Sequence, residues 1–526
     1  MTARQKRITL VACILGTAIV FIDQTVVNVA LPAIRRDLHA GLATQQWVVE
    51  AYLLTLGSLL LVGGSLSDLL GRRRVFAAGV AGFGVTSILC AIAPDPALLA
   101  VARAIQGAAG ALLVPSALAI IVATFDGHER GAAIGSWTAW GGIAGIAGPL
   151  LGGVLVQAST WRLVFAVNLV PVAVTLYLIV RHVPRSLDER EHRHVDLPGA
   201  ALCALGLAGV VTGLIEQPTH SFGSLLVGPA IALGAACLVA FVLYERRAPD
   251  PMLPLDLFRR RNFAVGNAAT LLIYAALGAA MFFISVYLQQ VAGYRPLAAG
   301  VALMPATLII FVLSRRVGAL ADRLGPRFFM ACGPIVAGLG LLWFVRLGSH
   351  VSYVGDVLPG TVVFGVGLAI TVAPLTAAVL AGVDEHHAGV ASGVNNAIAR
   401  VASLLAIAAV GAVVASQFGS TLDDRLRGVA LHGHEPAAVA SARSRPLAST
   451  ASGLGPRVHA AVRDASVDGF RAGMLAGALL SILGGAISAV GIQNPRRRVE
   501  AGECPGGALV GVSRRLGRIV PSPSRT

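Results

Sequence analysis

Gly64-Ser65-Leu66-Ser67-Asp68-Leu69-Leu70-Gly71-Arg72-Arg73 is a ten-residue pattern that returns later in the chain as Gly318-Ala319-Leu320-Ala321-Asp322-Arg323-Leu324-Gly325-Pro326-Arg327. Glycine, leucine, aspartate, leucine, glycine and arginine occupy the same offsets in both copies. Each copy lies between two long apolar runs, which predicts a short polar loop between two membrane helices. A membrane protein that carries one loop twice is predicted to be a duplicated helix bundle, and two bundles around a central site is a common transporter architecture.

The composition excludes an ordinary soluble protein. The chain has 526 residues, of which 56% are hydrophobic and 13% are charged, whereas soluble domains carry about 25% charged residues. The net charge of +15 does not indicate a nucleic-acid partner, because the arginines form short clusters between apolar runs. Five of the six cysteines lie inside apolar runs without CxxC spacing, so we predict no metal site.

Apolar windows of about 20 residues predict an all-α integral membrane protein with 14 transmembrane helices. The windows lie near 8–30, 47–66, 75–93, 97–124, 133–156, 162–181, 197–216, 223–243, 263–289, 297–314, 328–347, 356–382, 388–416 and 468–492. With a cytoplasmic N-terminus, most arginines of short segments fall inside, as the positive-inside rule expects. The exceptions are Arg35, Arg36, Arg162, Arg295 and Arg346. We therefore predict a multi-pass protein of a bacterial cytoplasmic membrane with both termini cytoplasmic.

The positions of the repeated loops divide the chain into two six-helix bundles plus a two-helix insertion. We predict an N-terminal bundle at 1–182, a central two-helix linker hairpin with cytoplasmic flanks at 183–262, and a C-terminal bundle at 263–492. A long extracellular loop at 417–467 lacks helix-length apolar runs and is either a flexible surface insertion or a partner-binding or gating loop. The tail at 493–526 is basic, rich in Gly, Pro and Ser, and predicted to be disordered.

The repeated loops are predicted to act as conformational switches. Their glycines permit close backbone approach and positive φ, their aspartates can face helix N-termini or arginines, and their arginines can pair with acids or lipid phosphates. The residues assigned to this role are Gly64, Asp68, Gly71, Arg72, Arg73, Gly318, Asp322, Gly325 and Arg327. Such contacts can break and re-form as the halves rock. The alternative is that the contacts of each loop only stabilise its turn and do not change.

Asp23 and Arg103 are the candidates for proton coupling. Asp23 lies about 22 Å into the first span at 1.5 Å per residue, and a carboxylate at membrane depth marks a functional site or a proton relay by default. Arg103 lies at a similar depth in the fourth span. An Asp–Arg pair there would be a protonation-sensitive latch, and the alternative is a permanently paired structural bridge.

Other polar and aromatic residues within the spans are candidates for lining a substrate cavity. They are Thr25, Asn28, Gln106, Trp137, Trp140, Asn168, Asn395 and Arg400. Ordinary interhelical hydrogen bonds, or lipid-facing packing for the tryptophans, explain the same residues without a substrate. The fifth span is rich in small residues, among them Gly148, Pro149, Gly152 and Gly153, which allow close packing and bending.

Several motifs, in order, resemble the fourteen-span drug:proton antiporters of the major facilitator superfamily. The first-helix signature is Ile22-Asp23-Gln24-Thr25-Val26-Val27-Asn28-Val29-Ala30-Leu31-Pro32. The span-4 proton-transfer motif is matched by Leu99, Arg103, Gln106, Gly107 and Ala111. The span-5 antiporter motif is matched by Gly135, Gly148, Pro149, Gly152 and Gly153, and the entry to span 6 by Trp161, Arg162, Phe165 and Asn168. The resemblance implies that Asp23 and Arg103 carry proton coupling and that the span-5 motif favours export.

The sequence therefore predicts a multidrug resistance efflux transporter, a proton-driven exporter of amphipathic or cationic small molecules. A dedicated exporter of one endogenous metabolite or antibiotic fits the same residues. No Walker A, GxSxG or HExxH pattern is present, so we expect neither ATP drive nor an enzyme. The expected partners are small-molecule substrates, protons and the lipid bilayer, with no cofactor, no nucleic acid and no obligatory protein partner.

Overall fold

The apolar runs of the chain form helices throughout this computed structural model. The structure describes residues 2–39, 41–125, 127–183, 196–220, 224–249, 251, 253, 255–380, 388–427, 429, 431–432, 434–443, 446–447 and 455–494. The helices are α1 (Ala3–Asp37), α2 (Leu42–Leu70), α3 (Arg72–Ile92), α4 (Pro96–Thr124), α5 (Gly127–Ala158), α6 (Leu163–Ala166), α7 (Leu169–His182), α8 (Leu197–His220), α9 (Val227–Glu245), α10 (Arg261–Gln290), α11 (Pro296–Leu324), α12 (Pro326–Phe344), α13 (Leu358–Leu380), α14 (Ala388–Leu426), α15 (Glu435–Arg443) and α16 (Pro456–Gly491).

The all-helical membrane architecture predicted from the sequence is confirmed. Among the described residues, twelve helical stretches are long and apolar enough to cross a membrane. The two predicted windows not among them are occupied by α2 and α5, which are helices of 29 and 32 residues. Large apolar side chains such as Val85, Val180 and Val490 are exposed on the outside of the helices, an arrangement suited to lipid rather than water.

The helices pack in two groups. In the first group, α2 and α3 pack on α4, while α5 and α7 pack on α1. In the second group, α12 packs between α13 and α16, while α10 contacts α14 and α16. The pair α8–α9 packs together, and α8 also contacts α2 and α14. The groups meet where α2 faces α14, where α5 faces α11, and where α1 faces α10.

Hydrogen bonds join the two groups at one end of the helices. Arg35 Nη1 donates to Gln290 Oε1 at 2.6 Å, where α1 and α10 end. Near the start of α2, Gln46 Nε2 donates to the carbonyl oxygen of Ile407 on α14 at 2.8 Å. These helix ends belong to the side that the arginine distribution assigns to the outside.

The segment 417–467, predicted as a long extracellular loop, contains helices in three places. Its first ten residues continue α14 to Leu426, α15 occupies Glu435–Arg443, and α16 begins at Pro456. These helices share a small apolar cluster that includes Phe418, Leu422 and Val458. The cluster stabilises helices whose apolar faces are too narrow to register in a search for apolar runs of membrane length. The predicted tail, 493–526, lies outside the described residues from 495 onward.

Candidate functional site

A buried ion pair joins α1 and α4 in the first group of helices. Arg103 Nη1 lies 2.5 Å from Asp23 Oδ2, and the two side chains are 1% and 0% exposed. The helices bring them together because Asp23 is deep in α1 and Arg103 is two turns into α4, which runs in the opposite direction. Removing two charges from water is costly, and their attraction offsets that cost only when further hydrogen bonds complete the site.

Three neutral side chains complete the hydrogen bonding of the pair. Gln106, one turn after Arg103, accepts from Arg103 Nη1 at 2.6 Å and donates from Nε2 to Ser87 Oγ at 2.9 Å. Asn168 donates from Nδ2 to Asp23 Oδ1 at 3.0 Å. All five side chains are buried, so Asp23, Arg103, Gln106, Ser87 and Asn168 form one closed polar cluster inside apolar helices.

Arg103 also attaches this polar cluster to α2. Its Nε donates to the carbonyl oxygen of Val48 at 3.0 Å. Its guanidinium carbon lies 4.2 Å from the ring centroid of Tyr52 and 5.6 Å from that of Phe165, both cation–π distances. A single guanidinium therefore contacts α1, α2 and the helix that follows Trp161.

The glycines of α5 allow this helix to approach both groups closely. A Cβ at Gly152 would lie 2.8 Å from the carbonyl oxygen of Val26 on α1, and one at Gly148 would collide with Thr25. A Cβ at Gly153 would lie 2.5 Å from Cα of Leu297 on α11. The carbonyl oxygen of Pro149 also lies close to α11, because a Cβ added at Gly300 of α11 would be 2.5 Å from that oxygen. Close packing of α5 on α1 and on α11 depends on these small residues.

The two repeated loops make the same turn and the same contact. Gly71 has φ 101° and Gly325 has φ 88°, a region that favours glycine, and each ends one helix and begins the next. Arg73 donates to the carbonyl oxygens of Ile179 and Val180 at 3.4 and 3.3 Å, at the C-terminal end of α7.

Arg327, the counterpart of Arg73 in the second copy, donates to the carbonyl oxygen of Ala489 at 2.9 Å, at the C-terminal end of α16. A cation at a helix C-terminus is stabilised by the helix dipole and the free carbonyls. These contacts of both arginines with helix-end carbonyls are not among the partners expected from the sequence, which are acids or lipid phosphates. The structure gives no description of the Asp68 and Asp322 side chains. A Cβ at Gly64 or Gly318 would make little more than ordinary contact.

The remaining cavity candidates are spread over several places. Thr25 donates to carbonyls of its own helix, and Asn28 donates weakly to Gln24. Trp137 Nε1 donates to Thr17 Oγ1 at 2.9 Å, linking α5 to α1, whereas Trp140 is 53% exposed. These candidates do not gather around Asp23.

Two further candidates lie on α14. Asn395 donates to Asn267 and Thr270 on α10, at 3.0 and 2.7 Å. Arg400 lies on the face of α14 that contacts α2, where a Cβ at Gly57 would be 3.6 Å from Arg400 Cβ. Among the described residues it has no hydrogen bond or ion pair, and the titratable groups that act on it electrostatically are the hydroxyls of Tyr52 and Tyr274.

Sequence reasoning missed three residues of these sites. Ser87 gives no signal, since a serine in an apolar helix is common. Tyr52 is fully buried against Arg103, which a tyrosine in an apolar run does not reveal. Glu50 is an acid inside the predicted second span and is 0% exposed, so its charge was the signal that could have found it.

Comparisons with known proteins agree with this arrangement. Residues 13–407 match the family model described as Major Facilitator Superfamily. The chain is 34% identical over 465 residues to the multidrug resistance protein Stp of Mycobacterium tuberculosis, covering 88% of this chain and 86% of the relative. It is 37% identical over 435 residues to the puromycin resistance protein pur8 of Streptomyces alboniger, covering 82% and 84%. It is 35% identical over 424 residues to the tetracenomycin C resistance and export protein of Streptomyces glaucescens, covering 79% and 77%.

Solved structures share the fold at low sequence identity. A bacterial homologue of the human lysosomal transporter Spinster superposes with a TM-score of 0.67 at 15% identity, covering 93% of this chain and 97% of that chain. The nucleoside transporter NupG superposes with a TM-score of 0.60 at 11% identity, covering 91% and 98%. The helix arrangement, the matched family model and the length of the matched relatives lead to one conclusion: the chain belongs to the Major Facilitator Superfamily of membrane transporters.

Proposed function

We propose that the protein is a proton-coupled exporter that moves amphipathic or cationic small molecules out across the bacterial cytoplasmic membrane by alternating access. The single observation that carries the proposal is the buried Asp23–Arg103 pair with its closed set of hydrogen bonds. The relatives named for multidrug resistance and for antibiotic resistance and export support the direction of transport.

Proton binding at Asp23 would change the electrostatics of the whole cluster. A proton that reaches Asp23 from the outer side neutralises the carboxylate and leaves the Arg103 guanidinium without its counter-charge. An uncompensated buried charge is strongly unfavourable, so the helices rearrange until Arg103 gains water or another acceptor. Because Arg103 also bonds to the Val48 carbonyl, the rearrangement acts on α2 as well as on α1 and α4. Loss of the proton to the cytoplasm restores the pair and completes the cycle.

The architecture that we propose has fourteen spans, with bundles at 1–182 and 263–492 and the hairpin of α8 and α9 between them. Both termini are cytoplasmic, and 417–467 is extracellular. Hydrogen bonds such as Arg35–Gln290 and Gln46–Ile407 support a conformation in which the outer side is closed. The repeated loops govern the interconversion, since Arg73 and Arg327 hold the last helix of each bundle at the inner end.

Substrate would occupy the space between the bundles, where the two groups of helices part. Two cavity candidates lie at that boundary: Arg400 on α14 lies against Gly57 on α2, and the carbonyl oxygen of Asn28 on α1 accepts from Ser285 Oγ on α10 at 3.2 Å. Asn395 bonds to α10 within the second group, and Trp137 links α5 to α1 within the first. The proton gradient supplies the driving force, so no cofactor is required. Among the described residues, no group of three or more His, Cys, Asp or Glu side chains is placed to hold a metal ion.

A dedicated exporter of one antibiotic is the second candidate, and the printed names of several relatives favour it. Proteins named for puromycin, tetracenomycin C and cephamycin come from Streptomyces and Amycolatopsis species. Each of those names refers to a single compound or compound class.

Transport into everted membrane vesicles with an acidic interior separates the two candidates. We would compare uptake of ethidium, puromycin and tetracenomycin C, with a protonophore to collapse the gradient. Protonophore-sensitive uptake of chemically unrelated compounds supports multidrug export, and uptake of one compound supports a dedicated exporter. Uptake that the protonophore leaves unchanged would contradict proton coupling.

A further inference from the structure

The seam between α2 and α14 contains an acid that the Asp23 cluster does not use. Glu50 is 0% exposed, and neither of its carboxyl oxygens has a hydrogen-bond partner among the described residues. The carboxyl group lies beside the backbone of Ala408 on α14, without the geometry of a hydrogen bond. A buried acid in this position calls for an explanation, since buried polar groups are normally satisfied.

Glu50 lies on the face of α2 that contacts the second bundle. Gln46, Glu50 and Gly57 are separated by one and two helical turns, which places them on one face. Gln46 bonds to Ile407, Glu50 faces Ala408, and Gly57 lies against Arg400. Between Gln46 and Gly57 the contacts on α14 move from Ile407 and Ala408 back to Arg400, towards the start of α14, as expected for two antiparallel helices. Glu50 is therefore enclosed between the two bundles rather than within one of them.

Among the residues that the structure describes, no charged group is placed to compensate Glu50. The charged groups away from the ends of the helices packed against α2 are Asp23 on α1, Arg103 on α4, Glu216 on α8 and Arg400 on α14, and the titratable neutral groups there are Cys13, Cys90, Cys203 and, on α2 itself, Tyr52. The remaining charged residues of these helices lie at or near the helix ends, among them Arg35, Arg36 and Asp37 on α1 and Asp423, Asp424 and Arg425 on α14. Asp23 and Arg103 pair with each other, and Glu216 accepts from Trp47 Nε1 at 3.1 Å. Arg400 lies two turns of α14 away from Ala408, roughly 12 Å along the axis.

A buried carboxylate without a counter-charge or a hydrogen bond is disfavoured, so the neutral carboxylic acid is the form that fits this closed seam. We propose that Glu50 is a second proton-binding site: it takes up a proton from the outer side when α2 and α14 part there, and it holds that proton while the two helices are in contact. The proposal rests on the proposed function, because it assumes alternating access driven by protons.

Both proton sites act on the same helix. Val48 and Glu50 are two residues apart on α2, so they point to opposite sides. The Val48 carbonyl accepts from Arg103 on one side, while the Glu50 carboxyl faces α14 on the other. Movement of α2 therefore couples the state of the Asp23 cluster to the environment of Glu50.

The sign of the pH dependence follows from linkage. The closed seam binds the proton more tightly than the parted seam, in which water reaches Glu50. Low pH therefore favours the closed seam, and raising the pH through the ionisation of Glu50 favours the parted seam.

The test is the distance between spin labels at the outer ends of α2 and α14, at positions 44 and 420, over a pH range in lipid nanodiscs. The cysteines other than the buried Cys13 and Cys90 would be replaced by alanine. We expect the label distance to lengthen as the pH rises in the parent protein and in Glu50→Asp. In Glu50→Gln, which mimics the protonated acid, we expect it to stay short at every pH. If the label distance in Glu50→Gln lengthens with rising pH as it does in the parent, the proposal is overturned.

Two controls make the result specific. Glu245→Gln removes another buried acid, located on α9 away from the seam, and should respond to pH as the parent does. Asp23→Asn should lose gradient-driven transport but keep the pH response of the label distance, because Glu50 still titrates. Normal transport in Asp23→Asn would contradict the proposed function and leave the Glu50 result to be judged on the label distance alone.

A measurement on the unaltered protein tests the proposal even if Glu50→Gln fails to fold. Dicyclohexylcarbodiimide reacts with protonated carboxyl groups in apolar surroundings, and mass spectrometry locates the adduct. We expect an adduct on Glu50 that decreases as the pH rises. An absence of any adduct on Glu50 at low pH, with no pH response of the label distance in the parent, would overturn the proposal.

Discussion

Arg103 holds Asp23 and the backbone of α2 at the same time. Its Nη1 lies 2.5 Å from Asp23 Oδ2, and its Nε lies 3.0 Å from the Val48 carbonyl oxygen. One planar guanidinium therefore ties the acid of α1 to a helix that faces the second bundle. A change in the protonation of Asp23 is consequently a change in the forces on α2, which gives proton binding a direct route to the seam between the bundles.

The first prediction concerns the shape of the guanidinium. Arg103→Lys keeps the charge, but a compact ammonium cannot reach Asp23, Gln106 and the Val48 carbonyl together. Losing a hydrogen bond to a charged group costs about 1.5–3 kcal/mol, so we expect gradient-driven transport to fall about tenfold or more. Initial uptake rates in everted vesicles at matched expression measure the effect.

The matched control for that variant is Arg162→Lys. Arg162 pairs with Asp37 at 2.5 Å, but its side chain is 34% exposed, so water can replace a lost contact. Uptake by Arg162→Lys should stay close to that of the parent. Equal losses in the two variants would show that charge alone matters, and would argue against a role for the geometry of Arg103.

The second prediction concerns the contact between α5 and α11. Gly153→Ala places a methyl group 2.5 Å from Cα of Leu297, which the two backbones can accommodate only by moving apart. Overpacking costs about 1–3 kcal/mol, and here the cost falls on the outer-closed state. We expect slower transport and greater reactivity of a cysteine placed at 297.

Gly145→Ala, which has no neighbour within 4 Å, should change neither quantity. A loss of transport in Gly145→Ala of the same size would indicate a general intolerance of α5 to substitution.

The third prediction concerns the duplicated loops. Arg73→Gln and Arg327→Gln each remove a cation from a helix C-terminus, a contact worth about 0.3–1 kcal/mol. Because the two contacts are equivalent, we expect similar decreases in thermal stability in detergent, and additive decreases in the double variant. Arg323→Gln removes an exposed arginine of the second loop and should leave thermal stability unchanged. Strongly unequal effects at positions 73 and 327 would mean that the two loops do not play the same structural role.

The sequence predicted the helices and the loops because their signals are local. Apolar runs locate the spans, and Gly71 and Gly325 are glycines where the backbone requires positive φ. It predicted the depth of Asp23 and Arg103, since depth follows from residue spacing alone.

The rest depends on packing between distant segments. That Ser87 and Asn168 close the Asp23 cluster is decided by the approach of α3 and the helix after α6. The isolation of Glu50 depends on which face of α14 covers it. The short helices within 417–467 depend on a cluster of Phe418, Leu422 and Val458 that no single segment could stabilise.

The most direct test of proton coupling at Asp23 is ethidium uptake into everted vesicles under an imposed pH gradient, acidic inside. We would compare the parent protein with Asp23→Asn, and use Asp37→Asn as the control, since Asp37 is an acid of the same helix that is 47% exposed. We predict gradient-dependent uptake in the parent and in Asp37→Asn, and its loss in Asp23→Asn with the protein still folded and inserted. Gradient-dependent uptake by Asp23→Asn at the rate of the parent would contradict the assignment of proton coupling to the Asp23–Arg103 pair.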